Sequence, residues 1–76
     1  MPDGRRLRDV SGDQAIRAFE RLGYRVVRVR GSHVILEHAS RRAIVIPRHR
    51  RLRLGMLLAR VKDAGLTVEE FEELLR

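Results

Sequence analysis

The chain has 76 residues, no cysteine and a formal net charge of +7. This length suits one domain, and the lack of cysteine excludes a disulfide framework and a thiolate zinc site. The sequence also lacks an apolar run of about 18 residues and a secretory segment at its start. We therefore expect one cytoplasmic domain that does not enter a membrane, with residues 1–10 as a flexible basic lead-in and residues 11–76 as the folded unit.

The positive charge is concentrated in the middle of the chain. Residues 25–53 contain nine arginines and a single acid, Glu37, whereas residues 54–76 contain more acids than bases. A general preference for arginine over lysine would explain the residue type on an ordinary solvated surface, but it does not explain the clustering. Clustered cations are typical of a site for a polyanion, so we expect nucleic acid or another acidic partner.

The first predicted elements are a helix and three strands. Ser11 and Gln14 have the spacing of a capping box, which places a helix over about residues 12–22. Short alternating apolar runs then predict three strands, over residues 25–30, 33–38 and 42–46. Because short turns join neighbouring runs, we expect the strands to form an antiparallel meander.

Two further helices complete the predicted fold. A basic loop over residues 47–53 leads into a helix at about residues 54–64, and Thr67 with Glu70 forms a capping box for a short last helix. Five apolar strand residues are predicted to face the helices: Val27, Val34, Leu36, Ile44 and Ile46. The predicted fold class is therefore α+β, an α-β-β-β-α order with helices over one side of a three-stranded antiparallel sheet.

The candidate catalytic group follows the turn between the first two strands. Gly31-Ser32 suits a type II′ hairpin turn, so His33 is the first residue of the returning strand. A histidine can both take and give a proton near neutral pH. Among so many arginines, His33 is a candidate for proton transfer on a phosphodiester, and an ordinary surface histidine is the alternative. His38, on the opposite face of the same strand, is predicted to be structural or partly buried.

RNA supplies its own nucleophile, because its 2′-hydroxyl attacks the adjacent phosphorus once a base takes the proton. The reaction also needs an acid for the leaving 5′ oxygen and cations for the developing negative charge. Seven residues are predicted to contact RNA or its phosphates: Arg28, Arg30, Ser32, Arg48, His49, Arg50 and Arg51. The histidines lack metal-ligand spacing and no nucleotide fingerprint is present, so we expect neither a metal nor a small-molecule cofactor.

Five short segments occur in a family-specific order. They are Ser11-Gly12, Leu22-Gly23-Tyr24, Arg30-Gly31-Ser32-His33, Pro47-Arg48-His49 and Leu66-Thr67-Val68-Glu69-Glu70-Phe71. Together they make the chain resemble the HicA family of toxin mRNA interferases over about residues 11–75. The resemblance implies a double-stranded-RNA-binding-domain-like fold, mRNA cleavage without a metal ion, and growth arrest. It also assigns the family's catalytic histidine to His33.

The resemblance implies protein partners as well. A HicB-type antitoxin would bind the toxin and block the site, and such assemblies often repress their own operon. Two segments depart from the family pattern, Ala39-Ser40-Arg41 in a turn and Gly55-Met56-Leu57 in place of Gly-Thr-Leu; neither includes His33, and we interpret both as structural variation. Two other functions stay open: a non-catalytic RNA-binding module of the same fold, and a basic face that docks an acidic protein.

Overall fold

A computed structural model of the chain describes residues 5–76. In chain order the elements are a 3-10 helix (Arg5–Asp9), α1 (Gly12–Arg21), β1 (Arg25–Arg30), β2 (His33–Glu37), β3 (Ile44–Pro47), α2 (Leu54–Asp63) and α3 (Val68–Leu75). The strands form one antiparallel sheet in the order β1-β2-β3. The predicted α+β class and the α-β-β-β-α order are confirmed.

Both predicted capping boxes are present. The Ser11 hydroxyl accepts a hydrogen bond from the Gln14 backbone N–H at 3.1 Å, and the Ser11 N–H donates to Gln14 Oε1 at 2.9 Å. Thr67 and Glu70 make the same reciprocal pair at the start of α3. The pKa of Glu70 is lowered chiefly because the Thr67 backbone N–H donates to its carboxylate and favours the charged form, with a smaller contribution from the Thr67 side chain. Local sequence therefore sets where these two helices begin.

The core lies between one face of the sheet and the helices. Val34, Leu36, Ile44 and Ile46 are buried on this face, as predicted. Opposite them, the rings of Phe19 in α1 and Phe71 in α3 pack with their centroids 4.9 Å apart, and all these side chains belong to one hydrophobic cluster. The other face of the sheet is not covered by any described helix. It is therefore available for a ligand.

Val27 does not face the helices, so this part of the prediction is wrong. The register of β1 against β2 shifts between Val26 and Arg28, which is a β-bulge. The extra residue in the bulge interrupts the alternation that was read from the sequence. As a result, Val27 is 45% exposed and borders the uncovered face, while Val26 and Val29 take the helix side opposite Leu36 and Val34.

The start of the chain also departs from the prediction. A loose lead-in over residues 1–10 is wrong for the part that the structure describes, and residues 1–4 lie outside the described residues. Leu7 is fully buried in the 3-10 helix, and Val10 is buried as well. The Val10 carbonyl accepts a hydrogen bond from the backbone N–H of Leu52 at 2.8 Å. This segment therefore belongs to the fold, because its two apolar side chains complete the core beside α2.

The third strand starts at Ile44, later than residue 42. The Tyr24 hydroxyl donates a hydrogen bond to the Arg42 carbonyl at 2.6 Å, so this carbonyl is committed to a side chain instead of the strand ladder. Arg41 likewise turns away and donates from Nη1 to the Ala64 carbonyl at 2.7 Å. These contacts fasten the β2–β3 connection to the residue before β1 and to the end of α2.

Candidate functional site

The β1–β2 turn places His33 at one end of the sheet. Gly31 has a φ of +60° and no non-glycine residue among residues 5–76 has a positive φ, which fits the predicted type II′ turn with glycine first. His33 pairs with Arg30 on β1 and with Pro47 on β3, so it begins the central strand. Its side chain is exposed, and the hydrogen bonds to histidine rings among residues 5–76 all involve His38. The His33 imidazole is thus open to a ligand.

Three arginines share the uncovered face with His33, and Arg30 and Arg28 lie nearer to it than Arg25. Cross-strand partners project from the same side of a sheet, so Arg30 lies beside His33 and Arg28 beside Ile35. Arg28 and Arg30 also line a depression of about 410 Å³ on this face, together with Val27, Ile35 and Glu37. The face combines cations with a shallow apolar floor, which suits an extended anionic chain.

Three backbone hydrogen bonds bring the basic loop to the same end of the molecule. The Arg48 N–H donates to the Ser32 carbonyl at 2.7 Å, and the Gly12 N–H donates to the His49 carbonyl at 2.8 Å. The Leu52 N–H donates to Val10, as noted above. We call this region the basic end, defined by Arg30, Ser32, His33 and residues 48–51. Most of the residues predicted to bind RNA therefore meet here, and Arg28 adjoins them on the uncovered face.

The close contact between the loop and α1 depends on Gly12. A Cβ atom at this position would lie 2.1 Å from the Pro47 carbonyl oxygen and 2.8 Å from the Arg48 Cα, both backbone atoms. Only glycine allows this approach. The sequence analysis assigned no such role to Gly12; the available signal was a glycine in the first turn of a helix, where alanine is the better helix former.

Aspartates hold two of the loop arginines. Arg48 Nε lies 3.0 Å from Asp13 Oδ1, and Arg51 Nη2 lies 3.2 Å from Asp9 Oδ1. Both pairs are exposed, so each contributes little to stability and is open to competition by water or phosphate. Neither aspartate was predicted as part of the site, because their partners are distant in sequence.

The cations of the site differ in whether an acidic side chain pairs with them and in the face of the sheet on which they lie. The ion pairs among residues 5–76 include neither Arg28, Arg30 nor Arg50. Their charges are therefore available to a polyanion. By contrast, the Arg48 side chain lies with Asp13 in a cleft on the helix side of the sheet, away from the face that carries His33. The structure brings the Arg48 backbone to the basic end, but not its guanidinium to His33.

His38 occupies the other end of β2 and is structural, as predicted. Its Nε2 lies 3.1 Å from the Leu22 carbonyl, and its Nδ1 accepts a hydrogen bond from the Ser40 N–H at 3.0 Å. Because a carbonyl only accepts, these partners place the proton on Nε2. The ring also packs edge-on against Tyr24, with centroids 4.9 Å apart. Its two nitrogens are therefore occupied.

The described part of the chain has neither a metal-ligand cluster nor a membrane-spanning helix. Among residues 5–76, no group of three or more histidines and carboxylates is arranged to hold a metal ion. No helix in the same range has the length and apolar character required to span a bilayer.

Comparison with known proteins gives a family assignment. The family model described as HicA toxin of bacterial toxin-antitoxin matches residues 12–66. No curated protein matches the chain at a significant level. The matched range includes α1, the whole sheet, the basic loop and α2, and so contains His33 and its neighbours. Because the match extends over more than half of the chain, this protein belongs to the HicA family of toxins of bacterial toxin–antitoxin systems.

Proposed function

We propose that this toxin is an endoribonuclease that cleaves mRNA, with His33 transferring protons and arginines binding the phosphates. The observation that supports this most strongly is the position of His33. It is exposed at the end of the central strand, on the uncovered face, beside Arg30 and next to the basic loop. A titratable group among fixed cations is the minimum that phosphodiester cleavage by a 2′-hydroxyl requires.

The reaction is an internal transesterification. The 2′-oxygen forms a bond to phosphorus as its proton leaves, and the bond from phosphorus to the 5′ oxygen breaks as that oxygen gains a proton. The products are a 2′,3′-cyclic phosphate and a 5′-hydroxyl, with no net consumption of water. His33 acts in one of these two proton transfers as general base or general acid, and it makes no covalent bond to the substrate.

The arginines act on charge. Negative charge grows on the non-bridging oxygens as the fifth bond to phosphorus forms, and a guanidinium stabilises it through two parallel N–H donors. Arg30 is the cross-strand partner of His33, so it is our candidate for the scissile phosphate. Arg28 extends the cationic path along the uncovered face, and His49, Arg50 and Arg51 extend it over the basic end.

The proposed activity determines the setting and the control of the toxin. Since mRNA is the substrate, we propose that the toxin acts in the cytoplasm. We also propose that the antitoxin partner, which the family implies, is of the HicB type and blocks access to His33. No cofactor takes part in this scheme.

The test is to induce the wild type and His33→Ala in a bacterial host, follow growth, and map mRNA 5′ ends. We expect growth arrest and new 5′-hydroxyl ends in the wild type only. Purified wild type should cleave RNA in the presence of EDTA and leave cyclic phosphate ends. Arg30→Ala should lower the cleavage rate more than Arg42→Ala, because the Arg42 side chain is 77% exposed and lies towards the opposite end of the sheet.

Two outcomes would reject the catalytic role. Growth arrest by both the wild type and His33→Ala would mean that toxicity comes from binding RNA or ribosomes, as in a non-catalytic RNA-binding module. Tight RNA binding by the purified wild type without any cleavage would lead to the same conclusion. Circular dichroism of His33→Ala must match the wild type, so that a loss of growth arrest in this variant reflects the missing imidazole and not unfolding.

A further inference from the structure

The outer edge of β1 lacks a partner. The sheet order is β1-β2-β3, so β1 pairs with β2 on one side, and no described residue forms a strand on its other side. All six residues of β1 are exposed. Its three valines, Val26, Val27 and Val29, are between 40% and 53% exposed, which is unusual for β-branched side chains in a strand.

A cleft runs along the helix side of this edge. It has a volume of about 300 Å³, and its apolar wall consists of Ile16, Val26, Val29 and Val34. Polar atoms of Asp13, Arg17 and Arg48 surround it. The cleft is large enough for an apolar side chain and leaves it in contact with both α1 and the sheet.

The opposite side of the same edge is cationic. Arg25, Arg28 and Arg30 lie on the uncovered face with their cross-strand partners Glu37, Ile35 and His33. A strand added next to β1 would therefore meet two different environments. Its alternate side chains would face the valines of the cleft or the three arginines, because successive residues of a strand point to opposite sides.

The backbone of β1 is suitably oriented for such an addition. In a hairpin with a two-residue turn, the residues that flank the turn bond to each other, so the peptide groups of Arg30 face β2. Those of Val29 then point outward. Since the Val29 side chain borders the cleft, the outward hydrogen-bonding groups and the apolar pocket are at the same residue.

A second copy of this chain is a poor occupant of the edge. Pairing β1 with β1 would place the three arginines of each copy on neighbouring strands of one face, and like charges opposite each other destabilise a sheet. Arginines and a bulge on an edge strand also discourage pairing between identical edges. The positive charge of the three β1 arginines instead complements an acidic segment.

We propose that the outer edge of β1 binds an extended acidic segment of the antitoxin as a fourth strand. Its carboxylates face Arg25, Arg28 and Arg30, and an apolar residue of the alternate set enters the cleft beside Val29. The segment is recognised by this alternation of acidic and apolar side chains. The inference rests on the proposed function only in that it takes the antitoxin as the ligand and places it next to the catalytic face.

The test uses the full-length toxin and its purified cognate antitoxin. Amide hydrogen exchange, followed by NMR, should show protection of the Val26 and Val29 N–H groups in the complex. Val29→Glu should weaken antitoxin binding by about tenfold or more, because it places a carboxylate at the apolar cleft and next to an acidic segment. Val45→Glu is the matched control, because Val45 is a valine of similar exposure on β3. Its effect should stay within about twofold.

A conservative variant and two further outcomes make the test decisive. Val29→Thr keeps a β-branched side chain, so it should fold and still weaken binding if Val29→Glu proves unstable. The proposal is overturned if Val29→Glu and Val45→Glu weaken binding equally, or if the antitoxin leaves the β1 amides unprotected. Protection of these amides by RNA, but not by the antitoxin, would also overturn it and make the edge part of the RNA site.

The same variants separate this inference from the proposed function. Val29→Glu produced without antitoxin should arrest growth like the wild type, because Val29 is not part of the proposed catalytic apparatus. Co-expressed antitoxin should rescue the wild type better than this variant. If the wild type cleaves no RNA, the proposed function fails, while the exchange and binding measurements still decide where the antitoxin docks.

Discussion

Strand β2 is bordered by two histidines in opposite environments. His33 begins the strand, is exposed, and has Arg30 as its cross-strand partner. His38 follows its other end, is partly buried, and has both ring nitrogens within hydrogen-bonding distance of neighbours. The comparison shows that residue type alone does not assign a role. A histidine whose nitrogens are occupied stabilises the fold, whereas one with open nitrogens can exchange protons with a ligand.

The surroundings of the two histidines are built differently as well. Near His38, side chains bond to backbone carbonyls and close the structure: Tyr24 to Arg42, and Arg41 to Ala64. At the basic end, backbone groups hold the loop, and its charged side chains stay at the surface. Near His38 the polar side chains are therefore used to fasten the fold, whereas at the basic end they stay at the surface, where the pairs of Arg48 and Arg51 with aspartates are exposed.

The largest expected effect separates chemistry from stability at His33. His33→Gln keeps a polar side chain but cannot transfer protons near neutral pH, so RNA cleavage should fall by about 10²–10⁴-fold. Its free energy of unfolding should change by less than about 0.5 kcal/mol, because the ring is exposed. Cleavage assays and urea unfolding of the same preparation measure both values. A large loss of stability would mean that His33 resembles His38 after all.

The next effect concerns the contact that holds the basic end together. Gly12→Ala places a methyl group against the Pro47 carbonyl, so we expect a loss of about 1–3 kcal/mol in the free energy of unfolding, as for an overpacked site. RNA binding should weaken too, since the loop must move. Gly55→Ala is the control, because a Cβ there meets nothing within 4 Å. It should stabilise α2 by about 0.5–1 kcal/mol; a similar loss in both variants would contradict the contact.

His38→Ala should show the reverse of the His33 result. Removing the ring leaves the Leu22 carbonyl and the Ser40 N–H without this partner, which should reduce the free energy of unfolding by about 1–2 kcal/mol. Cleavage by the folded protein should be unchanged below its melting temperature. Thermal unfolding and cleavage at low temperature test the two halves of this expectation. Loss of activity without loss of stability would remove the distinction between the two ends.

The smallest effect concerns Tyr24, whose ring packs against His38. Burial raises the pKa of Tyr24 above its ordinary value of 10.0, with Arg41 opposing this and Asp63 adding to it. The protonated hydroxyl is the form that donates to Arg42, so its contribution is present below pH 10 and is lost as the pH rises through the folded-state pKa. Tyr24→Phe should cost about 1 kcal/mol near neutral pH and remove this alkaline loss.

Spectroscopy can follow this titration directly. Tyr24 is the only tyrosine and the chain has no tryptophan, so ultraviolet absorbance reports its ionisation alone. Wild-type stability is measured in parallel from neutral to alkaline pH. An alkaline loss of the same size in Tyr24→Phe would assign it to other groups.

Local sequence was sufficient for the three α-helices, the order of the three strands and the position of His33, but it missed the 3-10 helix and started β3 two residues early. The capping boxes at Ser11 and Thr67 and the Gly31-Ser32 turn are interactions between residues at most three positions apart, so their patterns can be read directly. The turn fixes the residue that begins β2, and with it the position of His33. The family resemblance, which rests on ordered short segments, agrees with the matched family.

Only the tertiary structure decided how the site is assembled and which valines are exposed. The bulge at Val27 depends on the pairing of β1 with β2, and the burial of Leu7 depends on the core beside α2. The contact of Gly12 with the Pro47–Arg48 backbone, and the ion pairs of Asp9 and Asp13, join residues more than thirty positions apart. Such contacts follow from the packing of whole elements, which no local pattern encodes.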